Sequence, residues 1–383
     1  MTAQDDTRLS SASGADQRIV LSVDAMGGDR GPEAVVAGMA SCAAQCPDVE
    51  FLLHGPRERL EPLLTGRPIL SGRCRLHDAD GVVSMQDKPS HVMRNGKGTS
   101  MWSCIDSVRE GAAAVAVSCG NTGALMALSM LRLRRLPGIS RPAIACLWPA
   151  RAPHGFNIML DVGADVRADE HDLLQYALMG ASYARNGLGL ERPRVGLLNV
   201  GTEEHKGRPE LKAAHELIGR RSAQGGLEFV GFVEGGDIPS GRVDVIVTDG
   251  FTGNVALKTA EGTAGLIADL LRDAFRATPL SRIAALLATG ALRRLNRRID
   301  PRRVNGGVFL GLNGTVIKSH GSADSTGVAA ALGLGVRLAR ARFSDRLAAR
   351  VARVLPARDD ETHSPPEAAD AGSGGNSNDG ERS

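Results

Sequence analysis

Short apolar runs that end in Gly, Asp or Asn turns and lead into amphipathic stretches recur along most of the chain. Ile19–Val23, Val49–Leu53, Ala113–Val117, Ile158–Leu160, Val195–Leu198, Phe229–Phe232 and Val243–Val247 read as buried strands. The helical patterns between them give βαβα alternation. This predicts a three-layer α/β/α fold built on a mostly parallel, Rossmann-like sheet covered on both faces. In such folds ligands bind at the carboxyl ends of the strands. No internal repeat stands out.

Composition narrows the classes. Of 383 residues, 42% are hydrophobic and 23% charged, which excludes disorder throughout. Aromatics at 3% supply no base-stacking platform, so no nucleic-acid partner is expected. The net charge of +3 is unevenly spread. Residues 282–303 carry seven Arg against one Asp, and residues 357–383 carry seven acids against two Arg. The reading is a flexible extension over 1–17, an α/β domain over 18–355 with a protruding helical hairpin at about 272–303, and a disordered acidic tail over 356–383.

Six scattered cysteines show no CxxC pair and no metal spacing, and the start shows no secretory pattern. Buried reduced thiols, a cytoplasmic location and no metal are expected. Gly111–Leu131 is uncharged and long enough to span a bilayer, but its centre is Ser118-Cys119-Gly120-Asn121-Thr122-Gly123. A strand, a tight loop and a helix explain that block better than a membrane span.

The turns at the strand ends carry the chemistry. They are Asp24-Ala25-Met26-Gly27-Gly28-Asp29, Gly120-Asn121-Thr122-Gly123, Asp161-Val162-Gly163, Asn199-Val200-Gly201-Thr202 with Lys206 near, and Asp249-Gly250-Phe251-Thr252-Gly253-Asn254. Later, Lys318-Ser319-His320-Gly321-Ser322 comes after an apolar Thr315–Ile317. At the ends of parallel strands these turns should converge on one crevice. Gly lets backbone N–H groups approach a ligand, and a helix start adds positive dipole, so the crevice suits an anion. Each turn alone has a bland alternative as a structural bend. No dinucleotide fingerprint, P-loop or Gly-x-Ser-x-Gly elbow is present.

The ordered motifs Val-Asp-Ala-Met-Gly-Gly-Asp (23–29), Gly-Asn-Thr-Gly-Ala-Leu-Met (120–126), Leu-Asp-Val-Gly-Ala (160–164), Gly-Leu-Leu-Asn-Val-Gly-Thr-Glu (196–203), Val-Thr-Asp-Gly-Phe-Thr-Gly-Asn-Val (247–255) and His-Gly-Ser (320–322) carry a family likeness. The chain resembles the bacterial acyl-[acyl-carrier-protein]:phosphate acyltransferases from about Ile19 to Arg350. The resemblance implies reversible acyl transfer from acyl-[acyl-carrier-protein] to inorganic phosphate, giving acyl phosphate for phospholipid synthesis, with no cofactor. It also implies a homodimer with peripheral membrane contact and a downstream membrane acyltransferase as partner.

The residues can support that chemistry. Phosphate is its own nucleophile, and a thiol leaving group has a pKa of about 8.5, so no triad is needed. Asn121 and Thr122, at a helix start, are assigned to phosphate or the oxyanion. Lys206 and Lys258 are candidate counter-charges, with Lys258 one helical turn from Asn254. His320 is the candidate acid or base, and Asp249 joins it with Asn121 and Lys206 as the catalytic set. Asp24, Gly27, Gly28, Gly120, Gly123, Asn199, Gly201, Thr202, Gly253 and Asn254 complete the candidate phosphate and substrate site. The bland alternatives are turn, cap and surface roles.

Leu280, Ile283 and Leu287 fall at helical spacing beside Arg293, Arg294 and Arg297. Such a stripe can meet an anionic membrane or an acidic carrier. Its alternative is a hairpin packed in a dimer. Rival functions are a phosphotransacetylase using short acyl-CoA, a nicotinamide-dependent dehydrogenase, and a non-catalytic protein docking carrier or membrane.

Overall fold

The computed structural model describes residues 18–299 and 306–354, with the side chains of 296–299 outside that description. The stretches 1–17 and 356–383 read from sequence as extension and tail lie outside the described residues. The first half of the chain holds β1 (Ile19–Asp24), α1 (Gly31–Gln45), β2 (Val49–Gly55), α2 (Arg57–Thr65), β3 (Cys74–Asp78), α3 (Pro89–Asn95), α4 (Ser100–Arg109), β4 (Val115–Ser118) and α5 (Thr122–Leu133). Then come β5 (Ala143–Pro149), β6 (Phe156–Leu160), α6 (Glu170–Leu188), β7 (Arg194–Leu198), α7 (Pro209–Gly225), β8 (Glu228–Val233) and β9 (Val245–Val247). The chain continues through α8 (Gly250–Arg276), α9 (Pro279–Ile299), β10 (Gly307–Leu310), β11 (Thr315–Lys318), α10 (Ser325–Arg340) and α11 (Phe343–Val354).

These strands form one sheet in the order β3-β2-β1-β4-β11-β10-β5-β6-β9-β7-β8. Most pairings are parallel, as the βαβα alternation predicts. Residues alternate between two cores, one on each face. Val115 and Val117 of β4 join Val35 and Met39 of α1 and Leu332 of α10. Ala116 points the other way, to Met101 of α4, Leu125 of α5 and Ile144 of β5. Helices therefore cover both faces, and the mostly parallel three-layer reading holds.

One expectation fails. β10 is antiparallel to both β11 and β5, and β5 is antiparallel to β6. β6, β9, β7 and β8 are parallel to one another and so run opposite to β1, β4 and β11. The carboxyl ends of the two sets face opposite ends of the sheet. The glycine turns at those ends cannot all line one crevice by strand direction alone.

The block at 111–131 is β4, a turn and α5, and no helix among the described residues is long and apolar enough to cross a membrane. α8 is a single helix from Gly250, so the hairpin begins well before residue 272. Beyond Gly253 it buries no residue, and from Pro279 to Leu295 α9 buries none. Leu280, Ile283 and Leu287 are exposed, Leu287 at 85%, with Arg293 and Arg294 exposed beside them. The Arg297 side chain lies outside the described residues. All six cysteines are free thiols.

A buried polar cluster ties β1, β2 and α4 together. Ser22 Oγ donates to Cys104 O at 2.8 Å, so it accepts from His54 Nε2 at 2.8 Å, and His54 Nδ1 accepts from Ser103 Oγ at 2.8 Å. Burial, with a smaller push from the neighbouring His77, lowers the pKa of His54 from 6.5 to about 3. Between these two values the unfolded chain binds a proton that the fold refuses. Stability should therefore fall by about 1.4 kcal/mol per pH unit on acidification below 6.5. Thermal midpoints measured from pH 7 to pH 4 should show this slope in the wild type and lose it in His54→Gln.

Candidate active site

Asp24 closes β1 and is the centre of the first group of turns. Its carboxylate is fully buried and accepts Ser100 Oγ and Ser118 Oγ, each at 2.7 Å, and the Met26 amide at 3.2 Å. Burial pushes this carboxyl up, while the two hydroxyls and local amides pull it down. Through these bonds one side chain fixes the ends of β1 and β4 against the start of α4. Ser118 Oγ in turn accepts the Gly120 amide at 3.0 Å.

The glycines here serve close backbone approach. A Cβ on Gly27 would sit 2.5 Å from the Gly120 nitrogen, and one on Gly28 would sit 2.8 Å from Gly321 O. Gly28 also has φ of +95°, a conformation that side chains disfavour. The Asp29 amide donates to Gly321 O at 2.8 Å, and the Ser319 amide to Ser118 O at 2.9 Å. Three turns, after β1, β4 and β11, thus pack on one another. For Gly27 and Gly28 this packing demands glycine, while a Cβ on Gly120 would meet the flexible tip of Met101 of α4.

Asn121 is the N-cap of α5. Its Oδ1 accepts the Ala124 amide at 3.1 Å, and its Nδ2 donates to Met85 O at 2.9 Å and Asp87 O at 3.0 Å. The side chain assigned from sequence to phosphate is therefore occupied in building the helix start and holding the 84–87 loop over it. What α5 offers is backbone. Thr122 and Gly123 are exposed at its first turn, and no described group accepts their N–H groups.

Lys318, at the end of β11, donates to Cys119 O at 3.2 Å and to Ser319 O. It places a cation one hydrogen bond from the turn that enters α5. Burial drives its pKa down to about 8, against the pull of Cys119, Asp29 and Asp24, and the Lys258 charge pushes the same way. Two residues on, His320 is exposed and its Nδ1 accepts from Ser322 Oγ at 2.9 Å. That bond puts the ring proton of the neutral form on Nε2.

The second group lies where β6, β9 and β7 end. Asp161 accepts the amides of Ile144, Gly163, Ala164 and Asp165 at 2.7–3.2 Å. Burial pushes its carboxyl up against these bonds. α8 starts directly on it, with Gly250 and Gly253 too close to Asp161 to admit a Cβ. Asn254 Nδ2 donates to Val162 O at 3.3 Å. Asp249 caps α8, accepting the Thr252 amide at 2.8 Å and its hydroxyl at 3.0 Å, and pairs with Arg208. Against burial, these partners hold its carboxyl below the usual range. Asp249 thus reads as a cap and anchor.

Asn199 Nδ2 donates to Lys206 O at 3.2 Å while its Oδ1 is buried without a partner. Gly201 is buried beside the Lys206 stem, and Thr202 is exposed. Lys206 is exposed and paired with Glu203 at 2.8 Å; Lys258 is exposed and paired with Glu261 at 2.7 Å. Lys206→Ala is therefore expected to change kcat/KM by no more than a few-fold, read from initial rates over a phosphate series.

The structure thus joins Asp24, Gly27, Gly28, Gly120, Asn121, Thr122, Gly123 and His320. It places Asn199, Gly201, Thr202, Lys206, Asp249, Gly253 and Asn254 in a separate group. Lys258, on α8, connects the two electrostatically through Lys318. Lys318, Ser100, Ser118 and Arg208 were not among the sequence candidates. For Lys318 the available signal was a charged residue ending an otherwise apolar strand. Among the described residues no group of His, Cys, Asp and Glu has metal-binding geometry.

The family described as "Fatty acid synthesis protein" matches residues 19–346. The chain belongs to this family. Similar relatives include a phosphate acyltransferase of Paracoccus denitrificans, 68% identical over 357 residues, covering 93% of this chain and 96% of the relative. A phosphate acyltransferase of Cereibacter sphaeroides is 71% identical over 335 residues, covering 88% and 91%. Among solved structures, a phosphotransacetylase from Streptococcus pyogenes matches with a TM-score of 0.56 at 16% identity, over 84% of this chain and 94% of that one. One from Staphylococcus aureus matches with a TM-score of 0.55 at 14% identity, over 85% and 95%. At these identities the structural likeness shows the fold, and the family rests on the sequence matches.

Proposed function

We propose that this member of the fatty acid synthesis family transfers a fatty acyl group reversibly from an acyl-[acyl-carrier-protein] to inorganic phosphate. Its products are acyl phosphate, for phospholipid synthesis, and the free carrier thiol. The observation that carries this reading is the exposed first turn of α5 with the Lys318 ammonium behind it. Two backbone N–H groups, a helix dipole and a cation then address one anion.

A phosphate oxygen attacks the thioester carbonyl carbon, and the C–S bond breaks as the tetrahedral intermediate collapses. Orientation of the two reactants contributes about 7–11 kcal/mol in favourable cases. His320 as the imidazolium gives its Nε2 proton to the departing sulfur and is left as the neutral ring whose Nδ1 accepts from Ser322; in reverse the neutral Nε2 takes the proton from the carrier thiol. Asp24 and Asn121 act on substrate only through the turns they hold. The α8–α9 hairpin, with Leu280, Ile283 and Leu287 exposed beside Arg293 and Arg294, lies on an anionic membrane surface in a homodimer and delivers the product there.

The direct test incubates the protein with acyl-carrier and phosphate, traps acyl phosphate as hydroxamate, and runs acyl-CoA in parallel. Product from acyl-carrier supports the reading. Product from acyl-CoA alone moves it to a phosphotransacetylase, and none from either removes the activity. Vesicles with anionic lipid should retain the wild type and release Ile283→Ser/Leu287→Ser, scored by co-sedimentation.

A further inference from the structure

The stretch from Ala79 to Lys88, between β3 and α3, passes over the first turn of α5. Several contacts fasten it there. Gly81 O accepts the Ser100 amide at 2.9 Å, and the Gly81 amide donates to Gly98 O at 3.2 Å. Val83 is buried in the core that holds Met101 and Leu125. Asn121 Nδ2 donates to Met85 O at 2.9 Å and Asp87 O at 3.0 Å, and the Ser84 amide donates to Asp87 Oδ2 at 2.8 Å. Pro89 then closes the stretch against Gly123, where a Cβ would lie 2.9 Å from the proline ring.

Met85 links two turns of the candidate site. Its main chain is held by the N-cap of α5, while its side chain reaches the turn that carries His320. A Cβ on Gly321 would lie 3.1 Å from the Met85 terminal methyl. Ser84, Gln86 and Lys88 beside it are polar and exposed, and Val83 is buried. Met85 keeps 40% of its surface exposed. A thioether offers an inorganic phosphate nothing, since it carries no charge and no donor. It suits the apolar part of a substrate, because an unbranched, polarizable side chain adapts to a flexible chain.

We propose that Met85 is a specificity-determining residue for the acyl group. The methylenes next to the thioester carbonyl pack on its side chain while phosphate sits at the first turn of α5. This rests on the acyl transfer proposed above and adds which residue reads the acyl chain. An acetyl group has no methylene to place there, whereas longer acyl groups do. In an enzyme pocket the contact of one methylene is worth about tenfold or more in kcat/KM.

Rates of acyl phosphate formation from acetyl-, butanoyl- and hexanoyl-carrier test this. Met85→Ala and Met85→Gln should lower the ratio of kcat/KM for hexanoyl to that for acetyl about tenfold, with KM for phosphate unchanged. Met85→Leu, which keeps apolar volume, should hold the ratio within a few-fold. A residue that only braced α5 would lower all donors alike and raise KM for phosphate. Peroxide oxidation of methionine, read by mass spectrometry, gives a second measure without turnover. With phosphate omitted, hexanoyl-carrier should slow Met85 oxidation about fivefold or more relative to acetyl-carrier. Met93, exposed to nearly the same extent at 39%, should not distinguish the two donors. An unchanged donor ratio in Met85→Ala, or equal oxidation of Met85 with both donors, would overturn the proposal and leave acyl transfer standing. A wild type that forms no acyl phosphate from any donor would remove acyl transfer itself, and the proposal with it.

Discussion

Lys318→Met is expected to lower kcat/KM for phosphate by about 10²–10³, the range for removing one preorganised charge-stabilising group. The ammonium of Lys318 bonds Cys119 O and Ser319 O, so it fixes both the turn entering α5 and the turn carrying His320. Its loss removes the cation behind the proposed anion site and frees two carbonyls to tilt. The charge is also marginal, because burial has brought its pKa down to about 8. The wild-type rate should therefore decline as pH rises through 8 and the cation is lost. Lys318→Arg should move that limb upward by keeping the charge, and Lys258→Met should move it upward more modestly by removing a neighbouring like charge. Rates at saturating acyl donor, with phosphate varied from pH 6.5 to 10, give all three comparisons. A Lys318→Met enzyme within a few-fold of wild type would leave the dipole of α5 working without it.

The second large effect is on stability. Asp161→Ala should cost about 4 kcal/mol or more, because each buried donor left without an acceptor costs about 1–3 kcal/mol. Four amides, from Ile144, Gly163, Ala164 and Asp165, now converge on this carboxylate. For a fold of this size the unfolding entropy is about 0.7 kcal/mol/K, so the midpoint should drop by about 6 °C. Asp161→Asn keeps the shape but turns an NH2 group toward amides that need an acceptor. It should recover less than half of the loss. Recovery of nearly all of it would mean that shape, and not acceptor capacity, is what α8 and β6 require there.

The two results separate what the sequence made legible from what it hid. β1, β2, β4, β6, β7, β8 and β9 were readable because parallel strands buried on both faces are short continuous apolar runs. β5, Ala143–Pro149, and β10, Gly307–Leu310, were not read as strands, and they are antiparallel to neighbours on both sides. That pair reverses half the sheet, and it dissolves the expectation that every glycine turn shares one crevice. Local pattern identifies a strand but does not state its direction.

At the site, residue types were legible and their roles were less so. Gly27 and Gly28 are glycines because turn packs on turn, which no single stretch of sequence reveals. Asn121 was picked for its place at a helix start, and that is what it makes: a cap whose amide is spent on the 84–87 loop. The lysines singled out, Lys206 and Lys258, are exposed and paired with nearby acids. Lys318 was read in its turn but given no role, because its importance comes from lying between two turns about 200 residues apart in the chain, a fact of topology.

Amide NMR spectra recorded during a titration with inorganic phosphate discriminate between the two groups of turns. The resonances of Thr122 and Gly123 should move and saturate together, with the movement weakened in Lys318→Met. If Gly163, Gly201 and Asn254 move instead while Thr122 and Gly123 stay fixed, phosphate binds at the other end of the sheet, and the site built on α5 is wrong.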